Sequence, residues 1–341
     1  MLRLRDILST SASTLVSGGL GLALAVLAAR LLGPEQNGHY AQYVVILNLV
    51  CLALNLGVGP ATTYFVASER ALPEHIVRIN RDFLVAMGGL ALLVVALLGF
   101  AGGHQWLEQT LRVPATVAAI GALGGVALLA LNQATALRMG LHEYSRANLL
   151  NMLRTGAPLP FVAVACLLVP DSRAAAAAQT VVIACVAVYA WARIGAARIN
   201  TPLPAGSLRS LLSYGSLAYF SNLLHYVAIR GLLLGLSFFA TPAAVGFANL
   251  ALLLLEALLL VPSAIGQLLF PQSSDEAFNA RAMESVLRLA LVIALVAALV
   301  MALVAPAVST AILGERYLEV GVALRHLAPS FVLMTVPRIL S

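Results

Sequence analysis

The chain has 341 residues, 61% of them hydrophobic and 10% charged, with a mean hydropathy of +0.95. An ordinary soluble domain is about a quarter charged, so the composition excludes a cytosolic enzyme, a disordered chain and a disulfide scaffold, and leaves a polytopic membrane protein. The net charge of +6 comes from Arg without any Lys. Most of these Arg sit in short gaps between apolar runs, not on a basic face with stacking aromatics, so no nucleic-acid partner is expected.

Ten apolar runs follow in chain order: Ala12–Leu32, Tyr40–Ala67, Phe83–Ala101, Ala115–Leu137, Ala147–Val169, Ala174–Ala192, Ser213–Phe239, Pro242–Phe270, Ser285–Ile312 and Gly321–Ser341. A spanning helix takes roughly 20 residues, and the runs fit that length. The first is preceded by Arg3 and Arg5 and carries Ala28-Ala29 near its end. It is longer than a signal-peptide core and reads as an uncleaved first helix. The last is interrupted by Arg325, His326, Pro329, Pro337 and Arg338. Continuous apolar runs exclude a membrane β-barrel, whose strands alternate with period two. Cys51, Cys166 and Cys185 all lie inside runs, without metal-ligand or redox spacing. The expected fold class is an all-α polytopic membrane protein of about ten transmembrane helices.

With the N-terminus inside, thirteen Arg fall in inner segments and four at outer ends; Arg154, Arg230 and Arg325 lie within spans. That asymmetry predicts a cytoplasmic N-terminus. The longest gap, Arg193–Leu212, centres on Thr201-Pro202-Leu203-Pro204-Ala205-Gly206. It divides the chain into a six-helix lobe (1–194), a cytoplasmic linker (195–212) and a C-terminal lobe of about four helices (213–341). Gly38-His39-Tyr40-Ala41-Gln42 after the first span is echoed by Gly246-Phe247-Ala248-Asn249 after the seventh, which suggests two related bundles.

No catalytic constellation is present: there is no HExxH, GxSxG or GxxxxGK[ST], and no His pairs with another His or Cys at helical spacing. Neither enzymatic activity nor a cofactor or metal is expected. Pairs such as Gly121/Gly125 and Gly231/Gly235 predict close helix packing. The informative residues are polar ones inside spans, because Arg at the centre of a lone helix costs roughly 2.5–3.5 kcal/mol. Arg154 sits seven residues into the fifth span, Arg230 lies deep in the seventh, and Glu256 is near the middle of the eighth. Arg230 and Glu256 are expected to form a structural ion pair between adjacent helices. Polar residues also recur at helical spacing: Asn48, Cys51, Asn55, Gly59 and Thr62 on the second span; Asn148, Asn151 and Thr155, beside Arg154, on the fifth; Tyr219, Asn222, Tyr226, Arg230 and Ser237 on the seventh. Three such stripes predict a hydrated path between lobes.

Residues Leu27–Tyr40, reading LAARLLGPEQNGHY, resemble the first loop of the polysaccharide biosynthesis or O-antigen (Wzx-type) flippases of the MOP superfamily. Leu56-Gly57-Val58-Gly59-Pro60-Ala61 resembles the end of that family's second helix. Val245-Gly246-Phe247-Ala248-Asn249, with Pro262 and Leu269-Phe270-Pro271-Gln272-Ser273, resembles its eighth. The resemblance implies a MOP/MATE-like pair of bundles that rock about a central cavity in the bacterial inner membrane. It implies translocation of a polyprenyl-diphosphate-linked oligosaccharide, as in O-antigen, lipopolysaccharide or exopolysaccharide synthesis. Arg30, Arg154 and Arg230 would then hold the diphosphate, and Asn48, Asn55, Asn151, Asn222 and Tyr226 the sugar hydroxyls. Implied partners are the lipid-linked oligosaccharide, membrane lipids, and the polymerase and glycosyltransferases of the same pathway. Family members usually have twelve or fourteen helices, so the chain reads as C-terminally short, with its second bundle incomplete. The alternatives are a multidrug/cation antiporter of the same superfamily and a non-transporting membrane assembly subunit. The antiporter is disfavoured because no acid lies deep in the first six spans.

The orientation is tested by cysteine accessibility. In intact cells, an impermeant thiol reagent is expected to label Gln109→Cys but not Ser207→Cys. Outside labelling of Ser207→Cys reverses the topology.

Overall fold

A computed structural model describes residues 4–68, 72–100, 103–110, 112–194, 207–273 and 280–340. The described residues form helices and their connections: α1 (Leu4–Asn55), α2 (Val58–Ala67), α3 (Pro73–Phe100), α4 (Gly103–Thr110), α5 (Ala115–Gly140), α6 (Tyr144–Gly156), α7 (Pro158–Leu168), α8 (Ser172–Ala192), α9 (Ser207–Phe239), α10 (Pro242–Ser273), α11 (Ala280–Leu313) and α12 (Leu318–Leu340). Pro73, Pro158 and Pro242 each open a helix, where the missing N–H would be unsatisfied anyway. Asp171 caps α8 by accepting from Arg173 N at 2.8 Å.

Eight helices among the described residues are long and apolar enough to cross a membrane. One of them, Ser9–Asn55 in α1, has 47 residues. At 1.5 Å per residue it would run about 70 Å, more than twice a ~30 Å hydrocarbon core. The helix is therefore interrupted. Gly33 takes φ 76° and ψ 171°, followed by Pro34, a backbone turn that an L side chain would resist. The partners of the two arms fix their directions. In the N-terminal arm (4–32), Ser13 Oγ donates to Asn148 O at 3.3 Å, and Gly21 lies beside Thr155. That arm runs parallel to α6. In the C-terminal arm (34–55), Gln36 accepts from Ser172 at the start of α8, and Tyr43 meets Thr180 further along. The second arm thus runs parallel to α8 and antiparallel to the first, and α1 crosses twice.

The second crossing is broken again at Leu56 (φ 45°) and Gly57 (φ 77°), and α2 completes it. The expected fifth span is divided between α6 and α7 at Ala157. The expected tenth, Gly321–Ser341, is the helix α12, with Arg325 and His326 on its exposed face. Its opposite face, with Leu324, Ala328 and Phe331, packs on Ala294, Ala298 and Met301 of α11. The expected linker of 195–212 is already helical from Ser207, and Leu211 is buried beside Ala61 and Ile76. Residues 195–206 of that linker lie outside the described residues.

Large apolar side chains stand exposed along whole helix faces, including Leu90, Leu93 and Leu97 of α3 and Val292, Leu299 and Leu303 of α11. A water-soluble monomer rarely shows such belts; a lipid-facing helix requires them. Inside, Gly121 and Gly125 of α5 lie against Ile46 and Val50 of α1, the close approach that their spacing predicts. Gly231 and Gly235 make no such approach: nothing lies within 4 Å of the Gly235 position, and Gly231 meets only Val227 of its own helix.

The α5–α6 connection is braced by charge. Glu143 accepts from Arg138, whose side chain is 8% exposed, and from Arg146 at 2.6 Å. Burial raises the affinity of Glu143 for a proton, but the hydrogen bonds and charges of the two guanidiniums outweigh it and hold the carboxyl below its usual range. A depressed value means the brace stabilises above the ordinary Glu range, near ~4.3, and is lost as pH falls through the folded value. Glu143→Gln is therefore expected to lower the melting temperature of the purified protein at pH 7, by the equivalent of about 1–3 kcal/mol. The difference from wild type should shrink on acidification below about pH 4.

Candidate functional site

A cavity of about 440 Å³ opens between the C-terminal arm of α1, α5, α6, α9 and α10. From α1 it takes Val44, Val45, Asn48, Cys51, Leu52 and Asn55, and from α5 Leu128 and Asn132. Arg154 enters from α6. Across the cavity stand Asn222, His225, Tyr226, Ile229 and Arg230 of α9, with Asn249 and Glu256 of α10. α1 and α9 place their groups together because each keeps its polar residues at intervals of three and four, hence on one face.

The amides are tethered. Asn48 Nδ2 donates to Val44 O at 2.8 Å. Asn55 Oδ1 accepts from Gly59 N at 3.2 Å and from Gln133 Nε2 at 3.1 Å. Asn132 Nδ2 points to Cys51 Sγ at 3.3 Å, and the Tyr226 hydroxyl donates to Val45 O at 3.0 Å. These bonds fix the side chains while leaving oxygen lone pairs or N–H groups for a ligand.

The charges are arranged unequally. Arg230 Nη2 donates to Glu256 Oε2 at 2.7 Å, the side chains being 17% and 28% exposed. Its Nη1 reaches Asn249 Oδ1 at 3.3 Å. Arg154 has neither a hydrogen bond nor an ion pair among the described residues, yet it lines the same cavity. It lies ten residues after Tyr144, where α6 begins, and so about 15 Å along the helix at 1.5 Å per residue.

Of the sequence-predicted residues, Asn48, Asn55, Arg154, Asn222, Tyr226, Arg230 and Glu256 surround this cavity. Arg30 and Asn151 are not among its lining. Arg30 is exposed, and its guanidinium donates to the carbonyls of Ile312 at 2.5 Å and Ala311 at 3.2 Å. It satisfies the end of α11, whose last carbonyls have no partner within the helix. Asn151, half-buried on α6, offers its backbone carbonyl to Thr155 Oγ1 at 3.2 Å. Asn132, Asn249 and His225 join the site without having been named for it.

Two seams bound the cavity along α1. On the side opposite the N-terminus, the backbone of Gly38 lies against Pro242 and Gly246. Nearer the N-terminal side, Gly57 and Gly215 meet backbone to backbone. There Tyr64 stacks on Tyr214 with ring centroids 4.2 Å apart and planes 12° off parallel.

Residues 3–276 match the family described as "Polysaccharide biosynthesis protein". The chain belongs to that family. No curated protein matches it. Among solved structures, it is similar to a multidrug resistance MATE family transporter of the MOP superfamily in its inward-facing conformation. That likeness has a TM-score of 0.57 at 15% identity, covering 98% of this chain and 79% of the other. It is also similar to a MATE in the straight conformation, with a TM-score of 0.56 at 17% identity and coverage of 98% and 80%. At these identities the likeness shows a shared fold: this member of the polysaccharide biosynthesis family is an all-helical, multi-pass membrane protein of MATE-like architecture.

The seam nearer the N-terminal side yields a stability test. A Cβ at Gly57 would demand a left-handed backbone, costing about 1–2 kcal/mol, and would overlap the Gly215 carbonyl. Gly57→Ala and Gly215→Ala are expected to reduce folded protein sharply in detergent size-exclusion and melting assays. Gly235→Ala, which meets open space, should be neutral or stabilising by up to about 1 kcal/mol.

Proposed function

We propose that this protein moves a polyprenyl-diphosphate-linked oligosaccharide across the bacterial inner membrane by alternating access. The observation that carries this reading is Arg154, a guanidinium without a protein partner among the described residues, lining a polar cavity between apolar helices. An unpaired charge at such depth is costly unless water or an anionic ligand meets it. A diphosphate suits it by charge and by forked hydrogen bonding. The tethered amides of Asn48, Asn55 and Asn132, with Asn222 and Tyr226 across from them, offer the neutral donors and acceptors that sugar hydroxyls require. The polyprenyl tail stays in the bilayer, and the seams at Gly38 and Gly57 part alternately. The cytoplasmic N-terminus, and the pathway's polymerase and glycosyltransferases as partners, belong to the same reading.

Charge weighs against cation efflux. The acid lining the cavity is Glu256, and it is engaged by Arg230, so a cationic drug would meet an excess of guanidinium.

The test is surface glycan in a strain that lacks its own flippase, with membrane abundance measured in parallel. Arg154→Ala is expected to reduce glycan export about tenfold or more, the weight of one charge-assisted interaction. Arg154→Lys, which keeps the charge and loses the fork, should retain part of it. Full export by Arg154→Ala refutes the reading.

A further inference from the structure

We propose that Glu256 is a resident counter-anion: it holds Arg230 while the cavity is empty and yields it to the second phosphate of an entering diphosphate. This rests on reading the cavity as a diphosphate site. A diphosphate esterified at both ends carries two negative charges, whereas the cavity offers Arg154 alone as an unpaired guanidinium. The second guanidinium is present but neutralised at 2.7 Å.

Three features make the exchange feasible. The pair is not sealed in protein, since both side chains keep some exposure, 17% and 28%, and both line the cavity. Arg230 has a second anchor in Asn249 Oδ1, so it stays aimed at the cavity when the carboxylate lets go. Arg154 stands on α6 and Arg230 on α9, on walls drawn from opposite sides of the chain's long internal connection. A ligand held by both guanidiniums therefore bridges them, which a monophosphate on Arg154 alone does not. When the ligand leaves, Glu256 retakes Arg230, and the empty cavity is spared two unpaired cations.

Charge arithmetic over Arg154, Arg230 and Glu256 gives a ladder. Their sum is +1 in the wild type, +2 in Glu256→Gln, zero in Arg230→Gln, and +1 again in the Arg230→Gln/Glu256→Gln double variant. A merely structural pair predicts a different order, in which either single variant loses function and the double variant loses least.

The full chain is purified in detergent, and equilibrium binding of geranylgeranyl diphosphate and geranylgeranyl monophosphate is measured at pH 8, above the range in which imidazoles carry charge. Glu256→Gln is expected to bind the diphosphate about tenfold or more tighter than wild type, with a smaller gain for the monophosphate. Arg230→Gln should bind the diphosphate about tenfold or more weaker, and the double variant should recover part of that loss, short of wild type because the second guanidinium is gone. Glu256→Gln binding no tighter than wild type overturns the proposal while leaving the flippase reading intact. Where Glu256→Gln yields no folded protein, the comparison of Arg230→Gln with the double variant decides: equal affinities overturn the proposal. Absence of saturable diphosphate binding by the wild type overturns the flippase reading and the proposal together.

Discussion

A guanidinium in the middle of a bilayer has to be matched by water, an acid or a ligand, and the interior of this protein is organised around that requirement. Arg230 is matched by Glu256 and Asn249. Arg154 is matched by none of the described residues, and a cavity has to exist where it points. Apolar helices alone would close such a space by packing, as α5 and α1 do at Gly121 and Gly125. The polar faces of α1, α6 and α9 keep it open, because dehydrating them together would cost more than the packing returns.

The same helix that lines the cavity also closes it. Between Gly38 and Gly57, the C-terminal arm of α1 presents Asn48, Cys51 and Asn55 inward. At either end it drops its side chains so that α9 and α10 approach its backbone. Side chains pack beside these backbone contacts: Tyr64 stacks on Tyr214 at the one, and Gln42 donates to Ser237 at the other. The helical break at Leu56 and Gly57 falls at one of these seams.

The polar faces were legible because a helix repeats every 3.6 residues whatever it packs against. Asn48, Asn55, Asn222, Tyr226 and Arg230 fall on them for that reason. The faces are longer than the cavity, however. Ser237 lies on the same stripe but serves the seam beyond, where it accepts from Gln42 Nε2 at 3.4 Å. Arg30 lies within the most distinctive sequence stretch, yet its partners are carbonyls 281 and 282 residues away, a contact that no local pattern encodes. Asn132 was missed for the opposite reason: on its apolar helix it belongs to no stripe, and only tertiary packing brings it to Cys51. The helix that carries Arg154 begins at Tyr144, before the apolar run that starts at Ala147.

Ala29 is fully buried, and it is buried among residues of α10, α11 and α12. The residue just before it, Ala28, belongs with Leu24 to the core that includes α5, α7 and α8. The first helix is thus a shared beam, plastered on both sides. Cutting the chain at its long internal connection would therefore not release two self-sufficient halves. The earlier piece would carry a strip of beam stripped of its second wall, and the later piece would face lipid with an apolar trough where the beam had been. The division that the sequence marks by a polar gap and the division that the packing marks run along different lines, and the first helix lies between them.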